Sequence, residues 1–208
     1  MDPVAIRPLA PGDMEAACEV IGLAFADNPN TLAVLRGDRA KAPAAMRTAV
    51  RIAKLDRPYS HVLVAETNGR LVGALNAAPW PHCQLRAGEK LKAAPTMLRV
   101  LGRATLRQLK LSAAWAKHDP RERHWHLGPI GVHPECQGRG VGTALLGSFL
   151  TMVDEQSSPA YLETDVDRNV VLYEKFGFGV IAEQDIFGVN NRFMWRAARP
   201  DPPRGDAA

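Results

Sequence analysis

The segment PIGVHPECQGRGVGTALLG, Pro129 to Gly147, decides the fold, and it begins as a short run that is typical of a strand. Three alternating glycines follow, Gly138, Gly140 and Gly142, directly before a helical pattern. Glycine lets the backbone turn sharply and approach a ligand, because it has no Cβ. The free N–H groups and partial positive charge of a helix N-terminus favour an anion. The segment therefore predicts a strand, a pyrophosphate-binding loop and a helix.

Other interpretations of these glycines fit less well. A Walker loop requires Lys followed by Ser or Thr after its last glycine, whereas Thr143-Ala144 follows here. A dinucleotide site requires the spacing G-x-G-x-x-G, and the spacing here is G-x-G-x-G. Glu163 does end the next predicted strand, where a dinucleotide site places its acid, so that alternative stays open. A glycine-rich helix start that binds nothing is the third possibility.

Composition places the chain among globular proteins of ordinary domain size. Its 208 residues are 46% hydrophobic and 23% charged, with a net charge of +4. No window approaches the run of about 18 apolar residues that indicates a membrane span. The N-terminus lacks the pattern of a signal peptide. The three cysteines, Cys18, Cys83 and Cys136, are far apart and form no disulfide framework, so we predict a cytoplasmic protein.

Hydrophobic periodicity predicts a mixed α/β fold in which only the middle part is a parallel β-α-β unit. Asn68-Gly69 predicts a hairpin turn, and Asn190-Asn191 a second one. The predicted strands are Val4–Pro8, 61–66, 70–77, 124–132, 160–164, 178–187 and 192–197, and the predicted helices are 13–25, 43–55, 95–117, 140–154 and 169–176.

Positive charge is concentrated in the segment 84–118, which holds eight Lys or Arg residues and one acid, Glu89. Four of its cations form one stripe of the predicted helix: Arg99, Arg103, Arg107 and Lys110. Such a stripe is usually a solvated helix face. No RNA-binding motif or interleaved aromatic residue supports a nucleic-acid surface. We therefore expect neither a nucleic-acid nor a membrane partner.

Histidines near the glycine loop raise the question of a metal. His124 and His126 lie on one face of a predicted strand, and His133 and Cys136 follow closely. A third ligand at a recognised spacing is missing. Ordinary polar strand residues are the simpler interpretation, and we expect no metal.

Two blocks of sequence resemble one known family. The first is I-G-V-H-P-x-x-Q-G-x-G-x-G-x-x-L-L over Ile130–Leu146, and the second is N-V-V-L-Y-E-K-F-G-F over Asn169–Phe178. In this order they resemble the acetyl-CoA motif and the N-x-x-[LA]-Y-x-K-x-G-F block of the GNAT superfamily of N-acetyltransferases. The resemblance covers nearly the whole chain except 84–118. The stretch 162–196 and AFADNP at 24–29 look most like the puromycin acetyltransferase branch.

The resemblance implies a mostly antiparallel sheet with a central, splayed parallel strand pair, flanked by helices. It also implies acetyl-CoA as co-substrate. The main chain of the strand before the loop would bind the pantetheine amides, and the loop would hold the pyrophosphate. The implied cofactor-binding residues are Ile130, Gly131, Val132, Gln137, Gly138, Arg139, Gly140, Val141, Gly142, Thr143, Asn169 and Tyr173.

The reaction needs an acid for the departing sulfur and a base for the incoming ammonium. Asn169 and Tyr173 share one helix face, four residues apart. The resemblance implies that Tyr173 is the acid and that Asn169 binds the pantetheine arm. Glu163 and His126, on the two central strands, are the candidate bases. A core tyrosine, a solvated strand end and a pocket wall are the structural alternatives for these three side chains.

The predicted activity is direct transfer of an acetyl group to a primary amine of a small molecule. A protein amine acetyltransferase, a non-catalytic acyl-CoA-binding domain and a nucleotide-binding oxidoreductase remain alternatives. We predict one domain over 1–198, with a helical basic insertion at 84–118 and a disordered tail at 199–208. The protein would be a monomer or homodimer, and the acceptor pocket would come from 27–45 and 80–120.

Overall fold

A computed structural model describes residues 3–199, with side chains throughout except at positions 53 and 54. The centre of the fold is a seven-stranded sheet in the order β1-β2-β3-β4-β5-β7-β6. Neighbouring strands are antiparallel except β4 and β5, which are parallel. This confirms the predicted fold class. The strands are β1 Ala5–Pro8, β2 His61–Thr67, β3 Arg70–Pro79, β4 Trp125–Val132, β5 Ala160–Thr164, β6 Gly179–Ile186 and β7 Val189–Arg196.

Seven α-helices accompany this sheet within the described residues. None of them is long and apolar enough to cross a bilayer. Short 3-10 turns at Pro11–Asp13 and Pro134–Cys136 and a π-helical turn at Arg51–Leu55 complete the regular structure. The helices are α1 Met14–Ala24, α2 Pro29–Leu35, α3 Ala42–Val50, α4 Ala87–Leu101, α5 Ala104–His118, α6 Val141–Glu155 and α7 Asp167–Lys175.

Two predictions about helices are wrong. The single helix expected over 95–117 is two helices, α4 and α5, because Gly102 takes a φ of 54° and turns the chain between them. Helix α2, which starts at Pro29, is absent from the predicted helices. Asn28 caps the N-terminus of α2, where its side chain accepts a hydrogen bond from Thr31 N at 3.0 Å. Pro29 occupies the first helical position, which it favours.

The last hairpin turns at Phe187-Gly188, and the turn predicted at Asn190-Asn191 is wrong. Both turn residues have positive φ, 61° and 81°, as a tight two-residue hairpin turn requires. Asn191 is fully buried instead. Its side chain accepts hydrogen bonds from Asn30 Nδ2 at 2.7 Å and Trp115 Nε1 at 2.9 Å. Asparagine pairs are typical of turns, but here Asn191 belongs to a buried hydrogen-bond network.

Apolar side chains cover both faces of the sheet. On one face, Leu145, Leu146 and Phe149 of α6 pack against the strands, together with Tyr173 and Phe178. On the other face, α1 and α3 form a second cluster with β2 and β3. Each fully buried large apolar side chain contributes about 1.5–3 kcal/mol to folding. Since strand side chains alternate, Leu127 and Leu162 point to the α6 face, and their neighbours point to the opposite face.

The basic stripe of the 84–118 segment is only partly a solvated face. Arg99, Arg103 and Lys110 are exposed. Arg107 is docked: its Nε donates to Ala33 O at 2.9 Å, and its guanidinium lies 3.9 Å from the Phe187 ring centroid. The α4–α5 helical pair is thus held against α2 and the β6–β7 turn. Of the predicted disordered tail, only Arg199 lies among the described residues, and its guanidinium is 3.4 Å from Asp154.

Candidate active site

The glycine loop has the conformation that its sequence predicts. Gly138 and Gly140 have φ values of 73° and 82°, which other residues rarely adopt. The first helical hydrogen bond of α6 runs from Ala144 N to Gly140 O at 2.9 Å. The N–H groups of the preceding turn therefore have no acceptor within the helix. A Cβ built on Gly138 or Gly140 would meet no atom within 4 Å, so the loop faces open space that a phosphate can enter.

The side chains around this loop divide into two groups. Gln137 points back at the strand, where its Nε2 donates to Val132 O at 3.1 Å and fixes the loop to the end of β4. Arg139 and Thr143 are exposed and free to reach an anion. Val141 is buried in the core below the loop, so its side chain does not face the open space in front of the loop.

Strand β4 contains a β-bulge next to its parallel partner. Leu75 pairs with Ile130 and Ala77 with Leu127, so one residue of β3, Asn76, lies opposite two of β4. The extra residue falls at Gly128–Pro129, where proline has no N–H to donate to a neighbouring strand. A Cβ on Gly128 would lie 3.0 Å from Asn76 Nδ2, so glycine permits this close approach. A bulge also reverses which main-chain groups face each neighbour.

After the bulge, β4 stays paired with β3, but different residues of β4 direct their main-chain groups away from β3. His133 N donates to Val72 O at 2.8 Å, so by alternation the main-chain groups of Ile130 and Val132 face the opposite side. That side is open, because β4 pairs with β5 only from Trp125 to Leu127. Within the described residues, β4 and β5 therefore separate from Gly128 onwards. The gap exposes main-chain groups of the kind that an added strand would use.

Gly131 differs from Ile130 and Val132, with which it is predicted to bind the cofactor. Its main chain faces β3, opposite Ala74. A Cβ on Gly131 would lie 2.9 Å from the Cα of Ile21 in α1. Glycine at this position therefore allows α1 to pack closely on β4, and the structure does not direct its main chain into the gap.

Tyr173 lies in α7 on the α6 face of the sheet. Its ring contacts Phe178 edge-on, with centroids 5.9 Å apart. Gly177 and Phe178 close the end of the helix, since Phe178 N donates to Tyr173 O at 3.1 Å. Burial and the nearby Asp165 carboxylate raise the pKa of the Tyr173 hydroxyl to about 12. The hydroxyl thus stays protonated at neutral pH. Asn169 lies one turn earlier on the same helix.

Glu163 and His126 form a buried pair on the opposite face. His126 Nε2 lies 2.9 Å from Glu163 Oε2, and their side chains are 4% and 6% exposed. Glu163 is one residue past the last pairing between β5 and β4, so it stands where the two strands separate. Its other oxygen, Oε1, has no hydrogen-bond partner among residues 3–199. The structure thus brings two of the predicted catalytic side chains together, with Tyr173 across the sheet.

Next to this pair, the structure assembles four ionisable side chains that the sequence separates. Cys83, Asp119, His124 and His126 each place one ligand atom within 4.8 Å of all the others. Cys83, His124 and His126 are at most 4% exposed. We call these four residues the Cys–Asp–His–His cluster. Neither His133 nor Cys136, which are close to the histidines in sequence, belongs to it.

Opposite charges balance inside this cluster. Burial alone raises the pKa of the Cys83 thiol, but His124 and His126 outweigh it and hold that pKa below its usual value. Burial also opposes ionisation of Asp119, yet the same imidazoles keep the pKa of its carboxyl low. Burial lowers the pKa of His124, while Asp119 and Cys83 raise it to about 9. Each of these shifts thus has neighbours inside the cluster among its causes.

Comparison with known proteins assigns the chain to a family. Residues 33–178 match the model of the acetyltransferase (GNAT) family, which is more than half of the chain. The chain belongs to this family. The matched range includes the glycine loop, the gap between β4 and β5, and Tyr173.

Two curated GNAT relatives match over shorter stretches. An uncharacterised N-acetyltransferase of Schizosaccharomyces pombe is 34% identical over 68 residues, which are 32% of this chain and 27% of that protein. A mycothiol acetyltransferase of Paenarthrobacter aurescens is 37% identical over 71 residues, 31% of this chain and 22% of that protein. The chain thus matches about a quarter of the length of these relatives. Neither belongs by name to the puromycin acetyltransferase branch, which stays a prediction.

Solved structures share the whole fold at low sequence identity. A Corynebacterium glutamicum protein described as histone acetyltransferase HPA2 and related acetyltransferase has a TM-score of 0.69 at 22% identity, covering 98% of this chain and 99% of that one. A GNAT acetyltransferase from Brucella melitensis, solved with acetyl-CoA, has a TM-score of 0.54 at 19% identity, covering 99% and 95%. At these identities the likeness supports the GNAT fold alone.

The residues missed by sequence reasoning are Cys83 and Asp119. Their signal lies in the sheet register. Ala78 pairs with His126 and Pro79 with Trp125, so residues just after β3 must meet residues just before β4. The 84–118 insertion lies between those points, and its length concealed that its two ends are close together. Spacing along the chain alone could not indicate this.

Proposed function

We propose that this GNAT protein is an acetyl-CoA-dependent N-acetyltransferase that moves an acetyl group to a primary amine of a small molecule. The observation that carries the proposal is the gap between β4 and β5, which opens toward the glycine loop before α6. Tyr173 packs in the same apolar cluster as Ile130 and Leu162 of these two strands. The free cysteines, Cys18, Cys83 and Cys136, suit a reducing compartment such as the cytoplasm.

Acetyl-CoA fits the residues along this gap. The N–H groups at the start of α6 and the exposed Arg139 and Thr143 suit the pyrophosphate. Ile130 and Val132 offer main-chain groups to the pantetheine amides, in the manner of an added strand. Asn169 lies on the Tyr173 face of α7 and can hold the arm from the other side.

The chemistry is a direct transfer. The amine nitrogen forms a bond to the thioester carbonyl carbon, and the carbon–sulfur bond breaks. Glu163 takes one proton from the incoming ammonium, and Tyr173 gives its proton to the departing thiolate. The nitrogen loses its second proton as the amide forms; that proton restores the Tyr173 hydroxyl through solvent, and Glu163 releases its own to solvent. Acid and base thus approach the gap from opposite faces of the sheet, because Tyr173 lies with Leu162 and Glu163 with His126.

His126 is assigned a positioning role and not that of the base. One ring nitrogen, Nε2, is engaged with Glu163. The other, Nδ1, faces Asp119 at 3.8 Å and is buried. Neither nitrogen is free for a substrate amine. Glu163 keeps one oxygen without a partner among the described residues, so it is the better base.

The test is a titration with acetyl-CoA followed by a screen of acceptor amines that detects released thiol. We expect saturable binding and thiol release that depends on an added amine. Small amines, including agmatine and polyamines, and peptides with free N-termini should be tested side by side. Polyamines are included because the Drosophila melanogaster polyamine N-acetyltransferase shares the fold, at 15% identity and a TM-score of 0.61. No binding at millimolar acetyl-CoA refutes the proposal, and binding without transfer to any amine favours the non-catalytic alternative.

Glu163→Gln is expected to lower turnover by about 10–100-fold at neutral pH. Glutamine keeps an oxygen that can accept from His126 but cannot take a proton. The defect should shrink as the pH approaches the pKa of the acceptor amine, because a neutral amine needs no base. Paired pH–rate profiles of the wild type and the variant measure this. A deficit that stays constant up to the amine pKa would contradict the role.

A further inference from the structure

We propose that the Cys–Asp–His–His cluster is a structural zinc site, formed by Cys83 Sγ, Asp119 Oδ1, His124 Nε2 and His126 Nδ1. The acetyl-transfer chemistry above uses no metal ion, so the inference does not rest on it, although the two share His126.

The distances between ligand atoms fit a tetrahedral ion. Zinc bonds of about 2.0–2.3 Å imply separations of roughly 3.3–3.7 Å between neighbouring ligand atoms. His124 Nε2 lies 3.2 Å from Asp119 Oδ1 and 3.5 Å from Cys83 Sγ. His126 Nδ1 lies 3.8 Å from Asp119 Oδ1. Three of the six separations are thus close to those of a tetrahedral site, and the other three are at most 4.8 Å.

Two of these atoms make no hydrogen bond, although ion-pair contacts connect them to the cluster. Asp119 Oδ1 and His126 Nδ1 are buried and have no hydrogen-bond partner among residues 3–199. An unpaired buried polar atom costs about 1–3 kcal/mol, and more when it is charged. Both atoms point at the common centre of the cluster, where a cation would satisfy them together.

Neighbouring groups fix the orientation of both histidine ligands. His124 Nδ1 donates to Glu122 O at 2.8 Å, which leaves its Nε2 lone pair facing the centre. His126 Nε2 donates to Glu163 Oε2 at 2.9 Å, which leaves its Nδ1 lone pair facing the same centre. Metal-binding histidines are typically held in this way by a carbonyl or a carboxylate.

Asp119 is held in the same manner. Gln84 Nε2 donates to its Oδ2 at 2.8 Å, so that Oδ1 is left for the centre. A Cys–His–Asp nucleophilic site would need a different arrangement, with the carboxylate and the thiol on different ring nitrogens. Here Asp119 and Cys83 both approach Nε2 of His124. The geometry therefore favours a metal over an acyl-accepting cysteine.

The donor set selects zinc. One thiolate, two imidazoles and one carboxylate suit zinc, whereas magnesium, calcium and manganese prefer oxygen ligands. Four protein ligands and nearly complete burial leave no position for water, which is typical of a structural site.

The location explains what such an ion would stabilise. Cys83 precedes α4 and Asp119 directly follows α5, so the ion would join both ends of the α4–α5 pair. The two histidines belong to β4 and the residue just before it. The ion would thus fix the basic insertion to the central sheet, next to the gap and to Glu163.

The experiment measures zinc in the full-length protein by plasma mass spectrometry after purification without chelators. We expect about one zinc per chain in the wild type and below about a tenth of that in Cys83→Ala and in His124→Ala. Cys136→Ser and His133→Ala are the matched controls and should keep the metal. Gln84→Ala should retain the site with about 10–100-fold weaker affinity, measured by competition with a chromophoric chelator.

Measurements on the wild type keep the test decisive if a ligand variant fails to fold. X-ray absorption at the zinc edge should show one sulfur and three nitrogen or oxygen neighbours. Removal of the metal by a strong chelator should lower the melting temperature, and added Zn²⁺ should restore it. A wild-type protein that neither carries zinc nor takes up added Zn²⁺ overturns the proposal. So does a metal shell without sulfur, or full metal content in Cys83→Ala.

Discussion

Replacing Gly140 with valine is expected to weaken acetyl-CoA binding by about a hundredfold or more. Gly140 caps α6 at a φ of 82°, where a β-branched residue is strongly disfavoured. Either the loop distorts or the valine methyl groups occupy the space in front of the first helical N–H groups. Losing two hydrogen bonds to a charged phosphate costs about 3–6 kcal/mol, and each 1.4 kcal/mol is a tenfold change in affinity. Isothermal titration with acetyl-CoA measures the change.

Gly147→Ala is the matched control for this variant. Gly147 lies within the same helix, and a Cβ there meets no atom within 4 Å. Alanine should leave the affinity unchanged and raise stability by about 0.5–1 kcal/mol. Valine at this positive φ is strained, but a Cβ at Gly140 meets no atom within 4 Å, so we expect the strain to stay within the loop and the fold to be kept, which circular dichroism can verify. A valine variant that binds acetyl-CoA within about threefold of the wild type would exclude the loop as the pyrophosphate site.

Sequence patterns predicted the parts of the fold that local rules determine. The glycine loop, the 68–69 hairpin and the end of α7 each depend on a few neighbouring residues, and the structure matches them. The failed prediction of a turn at Asn190-Asn191 involves a residue whose partners are distant. Asn191 was interpreted as a turn residue, yet it is fixed by Asn30 and Trp115, far away along the chain.

The candidate site also has parts that local sequence predicts and parts that depend on distant partners. The predicted loop and α7 carry their own signatures, so their residues could be listed from the sequence. The gap depends on a bulge at Gly128–Pro129, which becomes visible only when β3 is paired with β4. The Cys–Asp–His–His cluster depends on the same pairing, since the β3–β4 register brings both ends of the insertion to the histidines. Tertiary register, and not residue type, was the missing information.

The second large effect is expected for Tyr173→Phe, which should lower turnover by about 10²–10³-fold. Phenylalanine preserves the edge-on contact with Phe178 and removes only the hydroxyl. Affinity for acetyl-CoA should change less than about threefold, because the proposed proton is needed by the departing sulfur and not by the bound cofactor. Initial rates with saturating amine, combined with titration of acetyl-CoA, separate the two effects. A large loss of affinity would assign Tyr173 to cofactor binding.

Varying the leaving group tests the acid role itself. A thioester whose thiol has a low pKa departs as a stable thiolate and needs little protonation. The Tyr173→Phe defect should therefore shrink with such a donor, while Tyr59→Phe, an exposed control, should match the wild type with both donors. An equal defect with good and poor leaving groups would mean that Tyr173 orients the acyl arm without giving up a proton. Because burial and Asp165 raise the pKa of this hydroxyl to about 12, the proton is present across the usual assay range, as a donor requires.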